Sequence, residues 1–386
     1  MGKVLLISWG VPPETTGSAI IVGNLAKQFT HEEMIVVGEK PSERPSVGWK
    51  EDWPEIVYIT RGWPPARRGA RWWRRCQLPL LLFRSWYLAR KHRCTNILVV
   101  FPNEEFLFVG YLTAKLTKAH LYPYFHNTFV EQCALNSVHH RIAQWLQSRV
   151  FDEADHIFLM SEGMVELYRE RYPEVPCSAL LHSFNEDIPE FVPQSDPASP
   201  VRFVMSGNIN ASCTDAATRV SSAIARIDSR LTILSGSPKQ YLDELGILRQ
   251  GVHYETVSRD LVLSRLSEAD IVILAHGFKG SLSEEEYRTI FPTKTIEYLI
   301  CGRPILAHAP PDCYLTRFLR RHQCALVVDT PEEEAVLAAV RRLREEADLR
   351  TSLVRNALQT ARLFHAPVVA AGLRTILEKN DRKLYQ

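Results

Sequence analysis

Short apolar runs alternate along this chain with longer stretches of helical periodicity. In the first half the runs are Lys3–Ser8, Glu33–Val37, Ile56–Thr60, Asn96–Phe101, His120–Phe125 and His156–Met160. Most are rich in β-branched or aromatic residues and bounded by Gly, Pro or polar clusters, the signature of strands. Between them, Ser18–Phe29, Phe106–Thr117, Arg141–Phe151 and Gly163–Tyr172 carry helical patterns. Strands that alternate with helices predict a parallel sheet covered on both faces.

Asn185–Pro200 interrupts this with four Pro, several acids and no apolar periodicity, which reads as a linker. The alternation then restarts with Val201–Ser206, Leu231–Ser235, His253–Val257, Ile271–Ala275, Pro304–His308 and Ala325–Asp329. Asp215–Ile227, Leu261–Ala269, Thr295–Ile300 and Pro331–Asp348 fill the gaps as helices, and Ala361–Leu384 is helical by pattern. A chain of 386 residues is expected to form two domains. We therefore expect an α/β protein of two tandem, doubly wound parallel-sheet domains, with boundaries near residues 190 and 360. Such sheets bind ligands beyond the carboxyl ends of their strands, here in the cleft between the domains. The fold alone names no chemistry.

Composition narrows the class. Hydrophobic residues make up 46% and charged residues 23%, as in soluble globular proteins. The start, MGKVLLIS, enters a strand-like run without the apolar core of a signal peptide, and no run of about 18 apolar residues predicts a transmembrane helix. The eight Cys are scattered without a CxxC pair, which fits reduced, buried thiols in a cytoplasmic protein. The net charge of +2 hides an asymmetry. From Ile56 to Asn103 there is no Asp or Glu but ten Lys and Arg, which leaves about −8 for the rest of the chain. A basic face of that kind implies an anionic partner.

The most informative segment is Phe291-Pro-Thr-Lys-Thr-Ile-Glu-Tyr-Leu-Ile-Cys-Gly-Arg-Pro-Ile-Leu-Ala-His308. A turn holding Phe291, Pro292 and Thr293 leads into a short helix with Lys294 and Glu297 three apart, on one face. Gly302 ends the helix. A loop entering a helix suits a phosphate, and a carboxylate one turn further in can accept two hydrogen bonds from a ribose diol. A plain strand–helix–strand unit with a surface Lys–Glu pair accounts for the same residues. Physics alone leaves both readings open.

This segment resembles the donor-site motif F-P-S-K-x-x-E-Y-x-x-x-G-x-P of retaining glycosyltransferases of the GT-B type, family 4. The resemblance implies two Rossmann-like domains, residues 1–190 facing the acceptor and 191–360 binding a nucleotide-sugar, with 361–386 returning as a helix toward the first. It implies that Glu297 binds the ribose. The family's first Glu of an E-x7-E pattern falls at Thr289 and is absent here, with Glu284, Glu285 and Glu286 nearby. Trp9–Ser18 is similar to the family's P-x-x-G-G loop beside the donor phosphates, Thr16 and Gly17 standing at the glycine pair. His126 matches a His at the end of the fifth strand, near the reacting carbon, and Ser161 a strand-end Ser beside the cleft. Ser206, Gly207 and Asn208 match the strand end whose amides face the diphosphate, and Val257 the loop that holds the base. Family members add an Arg and a Lys after that strand; here no basic residue precedes Arg219, so Lys294 is the expected diphosphate cation.

No P-loop, dinucleotide G-x-G-x-x-G, G-x-S-x-G or H-E-x-x-H motif is present, nor a D-x-D to hold a divalent ion under a diphosphate. We expect no metal and no cofactor, the nucleotide-sugar (UDP- or GDP-linked) being a substrate. His139-His140 reads as a helix surface. The stretch Arg61–Arg93 interleaves arginines with Trp63, Trp72, Trp73, Trp86 and Tyr87 around an apolar insert, Leu78–Phe83. Trp favours the membrane interface and Arg pairs with phosphate headgroups. Arg67, Arg68, Arg71, Trp72, Trp73, Arg74 and Arg75 are therefore expected to face an anionic membrane surface, with the protein peripheral on the inner face of the cytoplasmic membrane and a lipid-linked or glycan acceptor. No nucleic-acid motif appears. The rival functions are a nucleotide-sugar epimerase of the same architecture and a non-catalytic, lipid-docked scaffold.

Overall fold

In this computed structural model the described residues are all but 15–16, 41–48, 62–69, 194–195, 198, 211, 280–282 and 384–386; the side chains of 61, 70–72 and 381–383 also lie outside the description. The chain divides into two compact units, Met1–Asn185 with His365–Gln386, and Glu186–Phe364.

The first unit runs β1 (Val4–Ile7), α1 (Gly17–Ala26), β2 (Met34–Lys40), β3 (Glu55–Arg61), α2 (Ala70–Lys91), β4 (Asn96–Phe101), α3 (Glu104–Thr117), β5 (His120–Phe125), α4 (Val138–Glu153), β6 (Ile157–Leu159), α5 (Glu162–Arg171) and β7 (Cys177–Ala179). The strands pair in parallel in the order β3-β2-β1-β4-β5-β6-β7. Its central strands are apolar throughout, as a sheet covered on both faces requires. The right-handed crossover rule puts α2, α3 and α4 on one face, since each connection steps toward β7. Two features escaped the pattern: β7 is only three residues long, and the basic stretch forms a helix of 22 residues with Pro79 inside it.

The second unit runs β8 (Val201–Ser206), α6 (Thr214–Ile224), β9 (Ser229–Leu234), α7 (Lys239–Glu244), β10 (Val252–Glu255), α8 (Arg259–Ser267), β11 (Ile271–Ala275), α9 (Glu284–Thr289), α10 (Thr295–Ile300), β12 (Ile305–His308), α11 (Tyr314–Arg321), β13 (Leu326–Val328), α12 (Glu333–Glu345) and α13 (Ala347–Ala361). Its parallel sheet has the order β10-β9-β8-β11-β12-β13 around a separate apolar core. The reversal of strand order beside β8 makes its carboxyl end a switch point. Pro331–Asp348 reads as one helix but breaks at Glu346, where buried Arg350 donates to the Leu343 and Arg344 carbonyls at 2.9 Å and so satisfies the end of α12.

After a short 3₁₀ turn (Arg362–Phe364), α14 (Ala366–Lys383) packs in the first unit against α1. Ala366 donates its N–H to Phe184 O at 2.9 Å, and Arg374 bonds Gln28 O at 2.6 Å and pairs with Glu33 at 3.1 Å. The chain's end is thus stitched to the sheet it began.

Helix α3 lies so close to β4 that a Cβ on Gly110 would stand 2.5 Å from the Cβ and Cγ2 of Val99. Gly110→Ala should therefore destabilise the first unit by about 1–3 kcal/mol through overpacking. Chemical denaturation checks this, an unchanged midpoint being the result against it.

Candidate functional site

At the end of β8 the chain turns through Gly207 at φ +98°, a backbone conformation that glycine adopts without a side-chain penalty. Lys294 uses the space. A Cβ on Gly207 would come within 3.0 Å of Lys294 Cδ and 3.6 Å of its Nζ. The ammonium therefore lies against the strand end. Helix α10 is held there by Tyr298, fully buried, whose phenol oxygen accepts the Ser206 N–H at 2.7 Å and lies 3.3 Å from Ser206 Oγ. Phe291 anchors the turn before the helix, stacked on Phe364 (5.5 Å, 4°) and edge-on to Phe318 (4.9 Å). It is buried, so its part is packing rather than donor contact. Pro292 is half-buried and its carbonyl accepts the Thr295 N–H at 2.9 Å, while Thr293 is exposed.

The loops after β8, β9 and β10 are tied together. Asn208 Oδ1 accepts the Gly236 N–H at 3.0 Å, and Ser237 Oγ accepts that of Ile209 at 3.0 Å. Tyr254 and Thr256 donate from their hydroxyls to Ser237 O and Ser235 O at 2.9 and 3.0 Å. Val257 is half-buried in the same group of loops. One expectation is corrected here: the Gly207 N–H donates to Leu234 O at 2.9 Å, so the sheet takes the amide expected to face a diphosphate. Ser206 lends its backbone to Tyr298.

Glu297 has 14% of its side chain exposed and pairs with Arg259, the first residue of α8. Burial drives its carboxyl above the usual carboxylate range, Glu186 adds to that, and Arg259 and Lys294 oppose it. Arg259 escaped the sequence reading because 38 residues separate it from Glu297; only its place two residues after Val257 could have drawn attention to it.

The neighbouring strand ends carry neutral imidazoles. His276, just after β11, is buried and held down to about 4, chiefly by desolvation and further by Lys294. His308 lies between the Val328 carbonyl (3.0 Å, at Nδ1) and the Arg219 guanidinium (2.8 Å, at Nε2). A carbonyl only accepts and a guanidinium only donates, so the proton is on Nδ1. Arg219 also reaches Asp215 at 3.4 Å. That leaves Lys294 as the cation against Gly207. Thr289 is buried, its hydroxyl donating to Glu285 O at 2.8 Å, and Glu284, Glu285 and Glu286 open α9, capped by Ser283.

In the first unit, β5 delivers His126 to the start of α1, its Nδ1 3.0 Å from Ser18 Oγ. Gly17 beside it is exposed; Thr16 lies outside the described residues. His126 packs edge-on against Tyr124 at 4.4 Å and is buried. Desolvation, reinforced by His182, lowers its pKa to about 3, so the ring is neutral near pH 7. Ser161 caps α5: its Oγ accepts the Met164 N–H at 3.1 Å.

The basic stretch also differs from expectation. Arg67 and Arg68, and the side chains of Arg71 and Trp72, lie outside the described residues. Arg74 turns inward, 15% exposed, pairing with Glu39 at 2.9 Å and stacking over Trp9 at 5.1 Å. Arg75 pairs with Glu105 at 3.6 Å. Acids distant in sequence thus compensate both. Trp73, Leu80, Phe83 and Tyr87 are exposed along α2, while Leu81 is buried. Leu78–Phe83 is therefore the middle of a helix rather than an insert. A second exposed row, Leu135, Val138, Ile142 and Trp145, runs up to and along α4 and was not foreseen. Its apolar residues at i, i+4 and i+7 look core-forming, but the core takes Ala143, Leu146 and Val150 instead.

No protein-family model matches the chain, and no curated protein matches its sequence. Solved structures do. Sucrose-phosphate synthase from Thermosynechococcus elongatus matches with a TM-score of 0.73 at 14% identity, over 99% of this chain and 100% of that one. HepE from Anabaena, solved with UDP-glucose, matches at 0.66 and 14% identity, over 99% and 100%. The lipopolysaccharide outer core galactosyltransferase WaaB matches at 0.64 and 12% identity, over 98% and 99%. At these identities the likeness carries the fold, and that fold is GT-B.

Proposed function

We propose that this chain is a glycosyltransferase that moves a sugar from a nucleotide-diphosphate donor to a hydroxyl acceptor, with retention and without a metal ion. The observation that carries this reading is the pairing of Lys294 over Gly207 with Glu297 one turn further along α10. A cation at a strand end and a carboxylate about one helical turn away suit the diphosphate and the ribose diol of a single donor. The occurrence of UDP and UDP-glucose in HepE, a neighbour of the same fold, favours the same ligand class.

In the reaction, Lys294 stabilises the negative charge that develops on the departing diphosphate, and Glu297 anchors the ribose. Retention follows from the family resemblance: the departing phosphate takes the acceptor's proton on the face it leaves. His126, neutral and buried, orients by hydrogen bonding and does not attack. Metal independence is supported by the lack of a D-x-D motif and of any group of three His, Cys, Asp or Glu poised to hold an ion among the described residues.

For the acceptor we propose a lipid-linked glycan reached from the inner face of the cytoplasmic membrane. Helices α2 and α4 lie on the same face of the first sheet as α3, whose Phe108 ring is 6.3 Å from Trp145. The acids at the start of α3 are occupied, Glu104 by His139 and Glu105 by Arg75, while Arg84, Arg90, Arg141 and Arg149 are exposed. Apolar rows edged by exposed arginines suit an anionic bilayer interface. Among the described residues no helix is long and apolar enough to cross a membrane.

Three outcomes are expected. Glu297→Gln should weaken nucleotide-sugar binding by about tenfold or more, with folding intact, because ionised acceptors give the stronger hydrogen bonds; calorimetry showing unchanged affinity would make Glu297 a structural tie. Excess EDTA should leave transfer within about twofold, and loss that Mg²⁺ restores would overturn the leaving-group chemistry. Phe83→Glu with Trp145→Glu should release the protein from anionic vesicles in co-sedimentation while nucleotide affinity holds. Wild type that stays in the supernatant at low salt would remove the membrane from the account.

A further inference from the structure

The Arg259–Glu297 pair is lopsided: 48% of the arginine side chain is exposed against 14% of the glutamate. A guanidinium on the surface engages a carboxylate that is nearly out of water. A simple surface bridge between α8 and α10 would leave both partners solvated and contribute little. Here one partner is buried, and a buried carboxyl without a counter-charge takes up a proton instead of remaining ionised. The charge state of Glu297 decides what it can do for a diol. As a carboxylate it is acceptor-only with about four lone-pair sites, enough for the guanidinium and two hydroxyls together; as an acid, one oxygen becomes a donor.

We infer that Arg259 is a positioning residue of the donor site, which keeps Glu297 ionised and fixes the carboxylate so that it can accept both hydroxyls of a ribose. The inference rests on the donor reading above. The charged groups that act on Glu297 are Arg259 from α8, Lys294 from the start of its own helix and Glu186 from the segment opening the unit; α13 and β11, also packed on α10, supply none of them. Arg259 is the largest influence opposing burial, with Lys294 smaller and Glu186 working the other way. Without Arg259 the carboxyl rises further. Below its raised pKa the group is neutral and diol binding is lost, so affinity falls as pH falls.

The test is calorimetric titration with UDP-glucose and with GDP-mannose at pH 6, 7 and 8. The phosphates of both sugars are diesters and do not titrate in this window. Between pH 8 and pH 6, Arg259→Gln should lose more affinity than wild type, since each pH unit below a carboxyl's pKa costs up to about tenfold. Arg259→Lys, which keeps the charge, should follow the wild-type profile. Arg259→Gln combined with Glu297→Gln should show no added pH dependence. Two results overturn the inference: Arg259→Gln weakened equally at all three pH values, which marks a structural tie, or an added pH dependence that persists in the double variant. Wild type that binds neither sugar nucleotide overturns the donor reading itself, and this inference with it.

Discussion

The phenol of Tyr298 joins α10 to the end of β8, and the chemistry of the second unit depends on that joint. It receives the Ser206 N–H in the buried interior, where an unmet polar group would be costly. With the helix fixed, Lys294 lies across Gly207, where a Cβ would come within 3.0 Å of its Cδ. The aromatic cluster of Phe291, Phe318 and Phe364 holds the turn leading into the helix. Packing residues thereby deliver a cation and a carboxylate to the carboxyl end of a parallel sheet, where the strand order reverses.

The electrostatics share one theme: burial sets which groups keep their charge. His126, His276 and His308 are held neutral near pH 7 by desolvation. Arg219, which sequence alone leaves available for a phosphate, is engaged by His308 and Asp215. At the end of β8 Lys294 lies against Gly207, and the Glu297–Arg259 pair stands about one helical turn along α10. A cation and a paired carboxylate are what the proposed donor would use for its diphosphate and its ribose.

Much of this was legible in the sequence because two periodicities carried it. The strands from Val4 to Phe125 and from Val201 to His308 are dense apolar runs, and parallel sheets need such runs. The Phe291–His308 segment was legible because turn, helix, glycine stop and strand follow each other without a gap. The misses arose where a partner lay far away in sequence. Arg74 looked unopposed until folding brought Glu39 to it, and Glu297 gave no sign of Arg259. Hydrogen-bond consumption was equally hidden: nothing in Ser206-Gly207-Asn208 shows that one amide belongs to the sheet ladder. The row on α4 was missed because an apolar helix face gives no sequence sign of whether it points inward or outward.

Lys294, lying against Gly207, is proposed to serve a departing nucleoside diphosphate. This role is tested most directly by following nucleoside diphosphate release from a panel of UDP- and GDP-sugars by mass spectrometry, with wild type and Lys294→Ala side by side. Wild type should release the diphosphate from at least one donor, and the variant should be slower by about 100-fold or more, as for the loss of a preorganised charge at a leaving group. Release from no donor, or equal rates in the two proteins, would contradict it.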